Sequence, residues 1–435
     1  MAHRGIRSRV ADLRGSSVGH VRLPIVGTGE DHDQPLVQGP WTVAFAGEVL
    51  DFREWRPGAE CDADLVADTW ADWGPQGFCS FDGFWSVLAV DSGDGSVHAL
   101  CDYLGQKPLY VRDDGLVRAV ASEPDAVACL APVLLDGVYL SAVAKWGYCP
   151  ETWRTPYLGV RRVLPGECVT IPRRGPVVRR VVDVLTPELV TPEELRSEVE
   201  AAVRRRVLSS DVPVACLVSG GLDSAAVWTL ARRYGEVRAY HFPNGEEAEA
   251  REVAPGLTVL DGSGGRVDLG TALDWMQEPL DLGSLVPQAS LAQAVRDGGG
   301  ERVCLTGDGA DEFLGGYGRA ARYDSRDSDV WHELVAWHLP RLDRVMMRAP
   351  TEVRSPFLAR RVASGFLALP RPERTDKRVL RDLFRRDLPP GVADRPKRPL
   401  RTPEVAADRE ARSIELASMF RRRVARINEE VLGCR

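Results

Sequence analysis

Lysine is scarce in this chain of 435 residues. Lys107, Lys145, Lys377 and Lys397 are the only four among 56 Lys and Arg, which leaves 52 arginines. On a solvated surface the two cations interchange, but a site that needs a compact ammonium cannot accept the planar arginine fork. Apolar runs are short as well. None approaches the ~20 residues of a membrane span, and the N-terminus lacks the apolar core of a signal peptide, so a cytoplasmic protein is expected. Excess positive charge is absent. The net charge of −7 excludes an overall basic footprint for nucleic acid or an anionic membrane. The triplets Arg204–Arg206 and Arg421–Arg423 lie among helix formers and read as solvated helix faces. The nine cysteines never come closer than Cys61 and Cys79. That spacing excludes Cys-x-x-Cys metal clips, and the odd count argues against a disulfide framework. Seven histidines include no His-Glu-x-x-His pattern, which disfavours a zinc hydrolase.

The length allows two or three domains at ~150 residues each. Up to about residue 180 the pattern is mostly short strands: Trp41–Ala46, Phe84–Val90, His98–Cys101, Leu109–Arg112, Leu116–Ala121 and Glu167–Ile171. Asp64–Trp73 is the clearest helix there. The Pro/Arg-rich stretch Pro172–Val182 reads as a linker. Thr191-Pro-Glu-Glu then opens a capped helix to about Val207. From there strand and helix alternate: Val212–Val218, Leu222–Tyr234, Val237–Phe242, a long irregular segment, Leu291–Arg296 and Arg302–Leu305. Short buried strands alternating with amphipathic helices predict a parallel sheet covered on both faces. The expected division is 1–182 and 190–435.

The strongest local signal is Val218-Ser-Gly-Gly-Leu-Asp-Ser224. It follows an apolar strand and opens a helix. Gly220 and Gly221 let the backbone approach an anion, the free N–H groups before and after Leu222 bind it, and Ser219 and Ser224 add hydroxyls. The lysine of a Walker A loop is missing. Asp223 would repel a phosphate unless a cation bridges them, which implies Mg2+. A second string, Leu305-Thr-Gly-Asp-Gly-Ala-Asp-Glu-Phe-Leu-Gly-Gly-Tyr317, also follows a strand and sets Asp308, Asp311 and Glu312 beside glycines.

The first string resembles the PP-loop of ATP pyrophosphatases, and the second resembles the Ser-Gly-Glu-Gly-Ser-Asp-Glu-Leu-Phe-Gly-Gly-Tyr segment of the asparagine synthetase family. The resemblance continues in Gln277-Glu-Pro-Leu-Asp-Leu-Gly-Ser-Leu-Val-Pro287, in Glu352-Val-Arg-Ser-Pro-Phe-Leu358 (with Ala359 where the family has Asp), in Asp376-Lys-Arg-Val-Leu-Arg381 and in Arg395-Pro-Lys397. It implies an α/β PP-loop synthetase domain with ATP and Mg2+ as cofactors, and Asp311 sharing the metal with Asp223. Thr306, Gly307 and Lys377 are then placed with ATP or pyrophosphate, and Lys397 with the charge of the transition state. His241 and Phe242, at the end of the next strand, line the adenine pocket or merely end the sheet.

The N-terminal half resembles a class II glutamine amidotransferase (Ntn-type α+β) domain. The residues that carry this are His3-Arg-Gly, Gly19-His-Val-Arg-Leu-Pro-Ile25, Asp82-Gly-Phe84 and Gly105-Gln-Lys-Pro-Leu-Tyr110; the family uses the residue matching Arg22 for the glutamine carboxylate. Departures matter more. A working domain needs Cys after the initiator Met, and this chain has Ala2. About 40 residues that separate that Cys from the His-Arg-Gly string in the family are absent too. In Phe45-Ala-Gly-Glu48, Ala46 replaces an Asn whose oxyanion-hole hydrogen bond is worth ~10²–10³ in rate. These departures imply a domain that does not hydrolyse glutamine.

The expected activity is an ATP-dependent, AMP-forming amide synthetase: a carboxylate is adenylated, then an amine or free ammonia displaces AMP. Asp308 or Glu352 positions or deprotonates the amine. Relatives with disabled glutaminase domains include β-lactam synthetases and lasso-peptide cyclases; the β-lactam type carries Tyr where this chain has Asp308. An intramolecular cyclase acting on a small molecule or peptide, another PP-loop reaction, and an inactive scaffold or partner subunit are the remaining readings. A partner protein or a homodimer fits any of them.

Overall fold

The structure, a computed structural model, describes residues 1–13, 15–243, 245–260, 267–280, 282–298, 300–316, 333–396 and 409–433, with side chains of the last span from residue 415. Strands β1 (Arg7–Leu13) and β2 (Ser16–Arg22) form an antiparallel hairpin. Strands β3 (Leu36–Gln38) and β4 (Trp41–Val49) are followed by helix α1 (Asp62–Trp73), then by β5 (Gly83–Asp91) and β6 (Val97–Cys101). β7 (Tyr110–Asp113) and β8 (Arg118–Ala121) precede helix α2 (Gly137–Trp146), and β9 (Val160–Arg162), β10 (Glu167–Ile171) and β11 (Val178–Val181) follow it. Six of these strands make one sheet in the order β11-β10-β6-β5-β4-β3, and three more make a second in the order β8-β7-β9. All of their pairings are antiparallel. Val66, Ala67 and Trp70 of α1 bury against Val43, Phe45 and Trp85 of the large sheet. The expected strands are present with ends shifted by at most three residues. The expected linker is the main correction here. Val178–Val181 is an edge strand paired with Glu167–Thr170, and its two arginines suit an edge that must not recruit a further strand.

Beyond it, helix α3 (Pro192–Leu208) starts in a capping box: Glu194 N–H donates to Thr191 Oγ1 at 3.2 Å, and Thr191 N–H donates to Glu194 Oε2 at 2.7 Å. Then come β12 (Val214–Leu217), α4 (Leu222–Ala231), β13 (Val237–His241), β14 (Thr258–Val259), α5 (Leu269–Met276), α6 (Leu282–Gly298), β15 (Val303–Leu305), α7 (Leu339–Met346), β16 (Glu352–Arg354), α8 (Arg360–Ala368), α9 (Arg378–Phe384) and α10 (Arg409–Gly433). The five strands form a parallel sheet in the order β14-β13-β12-β15-β16. Alternation splits its side chains between two cores. Val214, Cys216, Val303 and Leu305 pack with Leu195 and Val199 of α3. Ala215 and Cys304 pack with Leu273, Ala289 and Val345 on the opposite face. Helices therefore cover both faces, as the alternating pattern predicts.

Other departures are local. Helix α6 begins at Leu282, well before Leu291, because Gly283 and Pro287 mask its period. The segment after β13 holds α5 and a short helix at Glu247–Val253. The arginine triplets are only partly solvated. Arg206 is fully buried 3.6 Å from Asp82, and Arg423 is buried between Asp125 and Asp274. Among the described residues, no helix is long and apolar enough to cross a membrane.

Candidate active site

Strand β12 ends at Leu217 and α4 begins at Leu222, so Val218–Gly221 must turn between them. The two serines brace that turn. Ser219 N–H donates to Ser224 Oγ at 3.1 Å, the two hydroxyls lie 3.0 Å apart, and Gly221 N–H donates to Ser219 Oγ at 3.3 Å. Gly220 has φ +86°, and a Cβ there would lie 2.8 Å from the backbone of Ala250. Only glycine meets both demands. Leu222 buries into the core and anchors the start of the helix, so its first N–H groups form an anion seat. The second string abuts the first: a Cβ on Gly307 would lie 2.7 Å from Asp223 Cβ and 3.0 Å from Ser224 N. Buried Thr306 ties this loop to β16 by donating its N–H to Arg354 O at 3.1 Å.

Asp223 and Asp311, from the two loops, converge on one cation. Lys377 Nζ lies 2.5 Å from Asp223 Oδ2 and 2.5 Å from Asp311 Oδ1. Two hard carboxylate oxygens beside a phosphate seat suit Mg2+, which takes one or two carboxylates and completes its shell with phosphate oxygens and water. Among the described residues no cluster of three or more His, Cys, Asp or Glu offers a cage independent of phosphate. Arg395 is a neighbour that the sequence reading did not assign. It donates to Gly220 O at 2.7 Å and Glu249 O at 3.2 Å, which brings the Arg-Pro-Lys segment to the loop. Lys397 and Tyr317 lie outside the described residues. His241 is buried and donates from Nδ1 to Val218 O at 2.8 Å, beside the loop. Phe242 is half-buried against the other core.

The two candidate bases separate. Asp308 follows the carboxyl end of β15, and its carbonyl accepts from Ser355 Oγ. Glu352 starts β16 opposite Val303 and points toward the N-terminal half. It accepts from Arg354 Nε at 3.2 Å and lies 3.7 Å from Lys107 Nζ. There it lines a cavity of about 80 Å³ with Arg22, Ala46, Glu48, Cys61 and Asp62. Arg22 is already engaged by the carbonyls of Val26, Gly27 and Gly29 and by Asp33. Burial, with the nearby Asp62 carboxylate, pushes the Cys61 thiol up to about 12, so it is not a thiolate nucleophile. Burial, with Glu352 and Asp62 adding repulsion, lifts the Glu48 carboxyl well above the usual range although Arg354 opposes it.

A family model described as asparagine synthase matches residues 194–339 and 330–428, and one described as a glutamine amidotransferase domain matches residues 1–180. The chain belongs to the asparagine synthetase family. Among curated asparagine synthetase relatives, a putative glutamine-hydrolysing enzyme of Mycobacterium tuberculosis is 26% identical over 347 residues, covering 70% of this chain and 52% of that protein. The chain thus spans about half the length of the first such relatives. A carboxyethyl-arginine beta-lactam-synthase of Streptomyces clavuligerus is 27% identical over 405 residues, covering 87% of this chain and 77% of that one. Among solved structures, glutamine phosphoribosylpyrophosphate amidotransferase from B. subtilis aligns at 15% identity with a TM-score of 0.28, over 56% of this chain and 66% of that one. The asparagine synthetase assignment rests on the sequence matches alone.

Proposed function

We propose that the chain is an ATP-dependent, AMP-forming amide synthetase of two units, 1–182 and 190–435, that makes no ammonia of its own. The substrate carboxylate attacks the α-phosphorus of ATP, the bond to the β-phosphate breaks, and pyrophosphate leaves. An amine or ammonia then attacks the acyl carbon, and AMP departs as the nitrogen loses a proton. Ser219, Gly220, Gly221, Leu222 and Ser224 seat the phosphates at the start of α4, with Thr306 and Gly307 closing the other side. Asp223 and Asp311 would hold Mg2+, which when bound neutralises charge on the leaving pyrophosphate. Lys377 and Lys397 supply cations for the phosphates and the developing oxyanion. His241 and Phe242 border the nucleotide, and Asp308 holds the amine proton. The observation that carries this reading is the convergence of two carboxylates and an ammonium on a glycine loop at a helix N-terminus.

The relict N-terminal site supports the absence of glutaminase chemistry. Ala46 offers no side-chain donor, Arg22 is engaged locally, and Cys61 is held protonated. The similarity to the beta-lactam-synthase, over most of both chains, favours intramolecular closure as a second reading. Asp308 weighs against its β-lactam form. Carboxylate-dependent exchange of labelled pyrophosphate into ATP tests the proposal. Exchange is expected with the right carboxylate and should fall by at least ~10³ in Asp223→Ala, while added glutamine should yield no glutamate. Failure to bind Mg·ATP would leave only a scaffold.

A further inference from the structure

Lys377 sits where a bridging divalent ion would sit. Its ammonium touches Asp223 and Asp311 at 2.5 Å each, and its side chain is 4% exposed. The surrounding chain is shaped around this placement. Asp376 and Lys377 both adopt left-handed φ, 53° and 56°, a conformation that side-chain-bearing residues disfavour. Lys377 N–H donates to Leu314 O at 2.8 Å, which fixes the approach. At Gly316, a Cβ would lie 2.2 Å from Lys377 Cε and 2.0 Å from Asp311 Oδ1, so the ammonium is threaded past a residue that must be glycine. Two carboxylates from different loops repel each other unless a cation lies between them, and an ammonium and a divalent ion cannot share one position.

We propose that Lys377 is a placeholder cation. Without nucleotide its ammonium bridges Asp223 and Asp311, keeps the two loops together and keeps free divalent ions out. Mg·ATP displaces it because ATP brings both the divalent ion that replaces it and phosphate oxygens to receive it. Metal and nucleotide therefore load together rather than in sequence, a coupling that must be reciprocal. The inference rests on the ATP-site reading above.

Mn2+ binding followed by electron paramagnetic resonance of the free ion tests it without turnover. Wild type should bind Mn2+ weakly without nucleotide and tightly with ATP. Lys377→Met should bind Mn2+ alone at least roughly tenfold more tightly than wild type, as a cation is removed from beside the incoming ion. Asp223→Asn in the same chain should erase the gain. Equal Mn2+ affinity in wild type and Lys377→Met overturns the placeholder, as does tight nucleotide-free binding by wild type. If Mn·ATP binds wild type normally in either case, the ATP-site reading stands. If Mn·ATP binds neither chain, both fall. Should Lys377→Met fail to fold, the wild type still decides. With four lysines, its 15N ammonium spectrum is simple, and the protected Lys377 signal should move when Mg2+ and a non-hydrolysable ATP analogue are added together but not with Mg2+ alone. A signal that stays put with both overturns the proposal.

Discussion

Two of the four lysines are buried between pairs of carboxylates: Lys377 between Asp223 and Asp311, and Lys107 3.0 Å from Asp343 and 3.7 Å from Glu352. A compact ammonium fits such a gap, whereas a guanidinium needs a wider, coplanar arrangement. Lys145 instead lies over the Trp146 ring, 4.8 Å from its centre. The scarcity of lysine in an arginine-rich chain thus points to the site, and it tests the idea that charge alone is insufficient there. Lys377→Arg should lower the pyrophosphate exchange rate by roughly 10²-fold, the scale of a 1 Å misplacement in a reacting site. Its melting temperature should stay near wild type, whereas an exposed Arg232→Lys change should leave exchange unaltered. Wild-type exchange in Lys377→Arg would show that any cation serves. Arg395, by contrast, was not assigned from the sequence. Its role depends on reaching the carbonyl of Gly220, 175 residues away, and no local pattern encodes that meeting.

Elements were legible where a local rule governs them. Thr191-Pro-Glu-Glu encodes its own helix start, and the apolar run before Ser219 encodes a buried strand. The edge strand Val178–Val181 was hidden because its pairing with β10, not its composition, makes it a strand. The site followed the same division. The glycine loops were readable because close approach demands glycine, but Glu352 was grouped with Asp308 although the parallel register sends it toward the other half of the chain. At that junction Asp62, in the first turn of α1, accepts the N–H of Val49 at the end of β4, 2.9 Å away. Burial raises its carboxyl from 3.8 to about 6, only partly offset by that hydrogen bond. The folded chain therefore binds more protons than the unfolded chain between pH 4 and 6, so this residue's contribution to stability falls as pH rises through that window. Asp62→Asn keeps an oxygen to accept from Val49 and removes the charge. It should stabilise the fold at pH 7.5 by about 3 kcal/mol, read as a higher melting temperature, and the two chains should converge by pH 4. An equal offset at both pH values would place the effect elsewhere.

Across the whole molecule, an N-terminal half that supplies no ammonia, as proposed above, is worth keeping only if the other half depends on it, and the interface argues that it does. One apolar core runs from Phe45 and Trp85 of the large antiparallel sheet to Leu195, Val214 and Phe357 beside the parallel one. Charged groups pair directly across the same boundary. Arg162 donates to both oxygens of Glu278 at 3.0 Å, and Arg344 shares that fully buried carboxylate. Arg4 Nη2 donates to both oxygens of Asp343 at 3.1 and 2.8 Å, and Arg354 donates to Glu48. Removing one half strips partners from Glu278, Asp343 and Arg354 at once and bares the apolar core that the two halves share. A domain's net stability is only about 5–15 kcal/mol. Residues 190–435 produced alone should therefore be insoluble or lack a cooperative melting transition, and co-production with residues 1–182 should restore both solubility and pyrophosphate exchange. Glu278→Ala makes the same argument within the intact chain: leaving Arg162 and Arg344 facing each other should cost about 3–5 kcal/mol, read from denaturant unfolding. A soluble, cooperatively folding 190–435 fragment would mean that the N-terminal half has been kept for something other than support, and the cavity beside Glu352 would be the place to look for it.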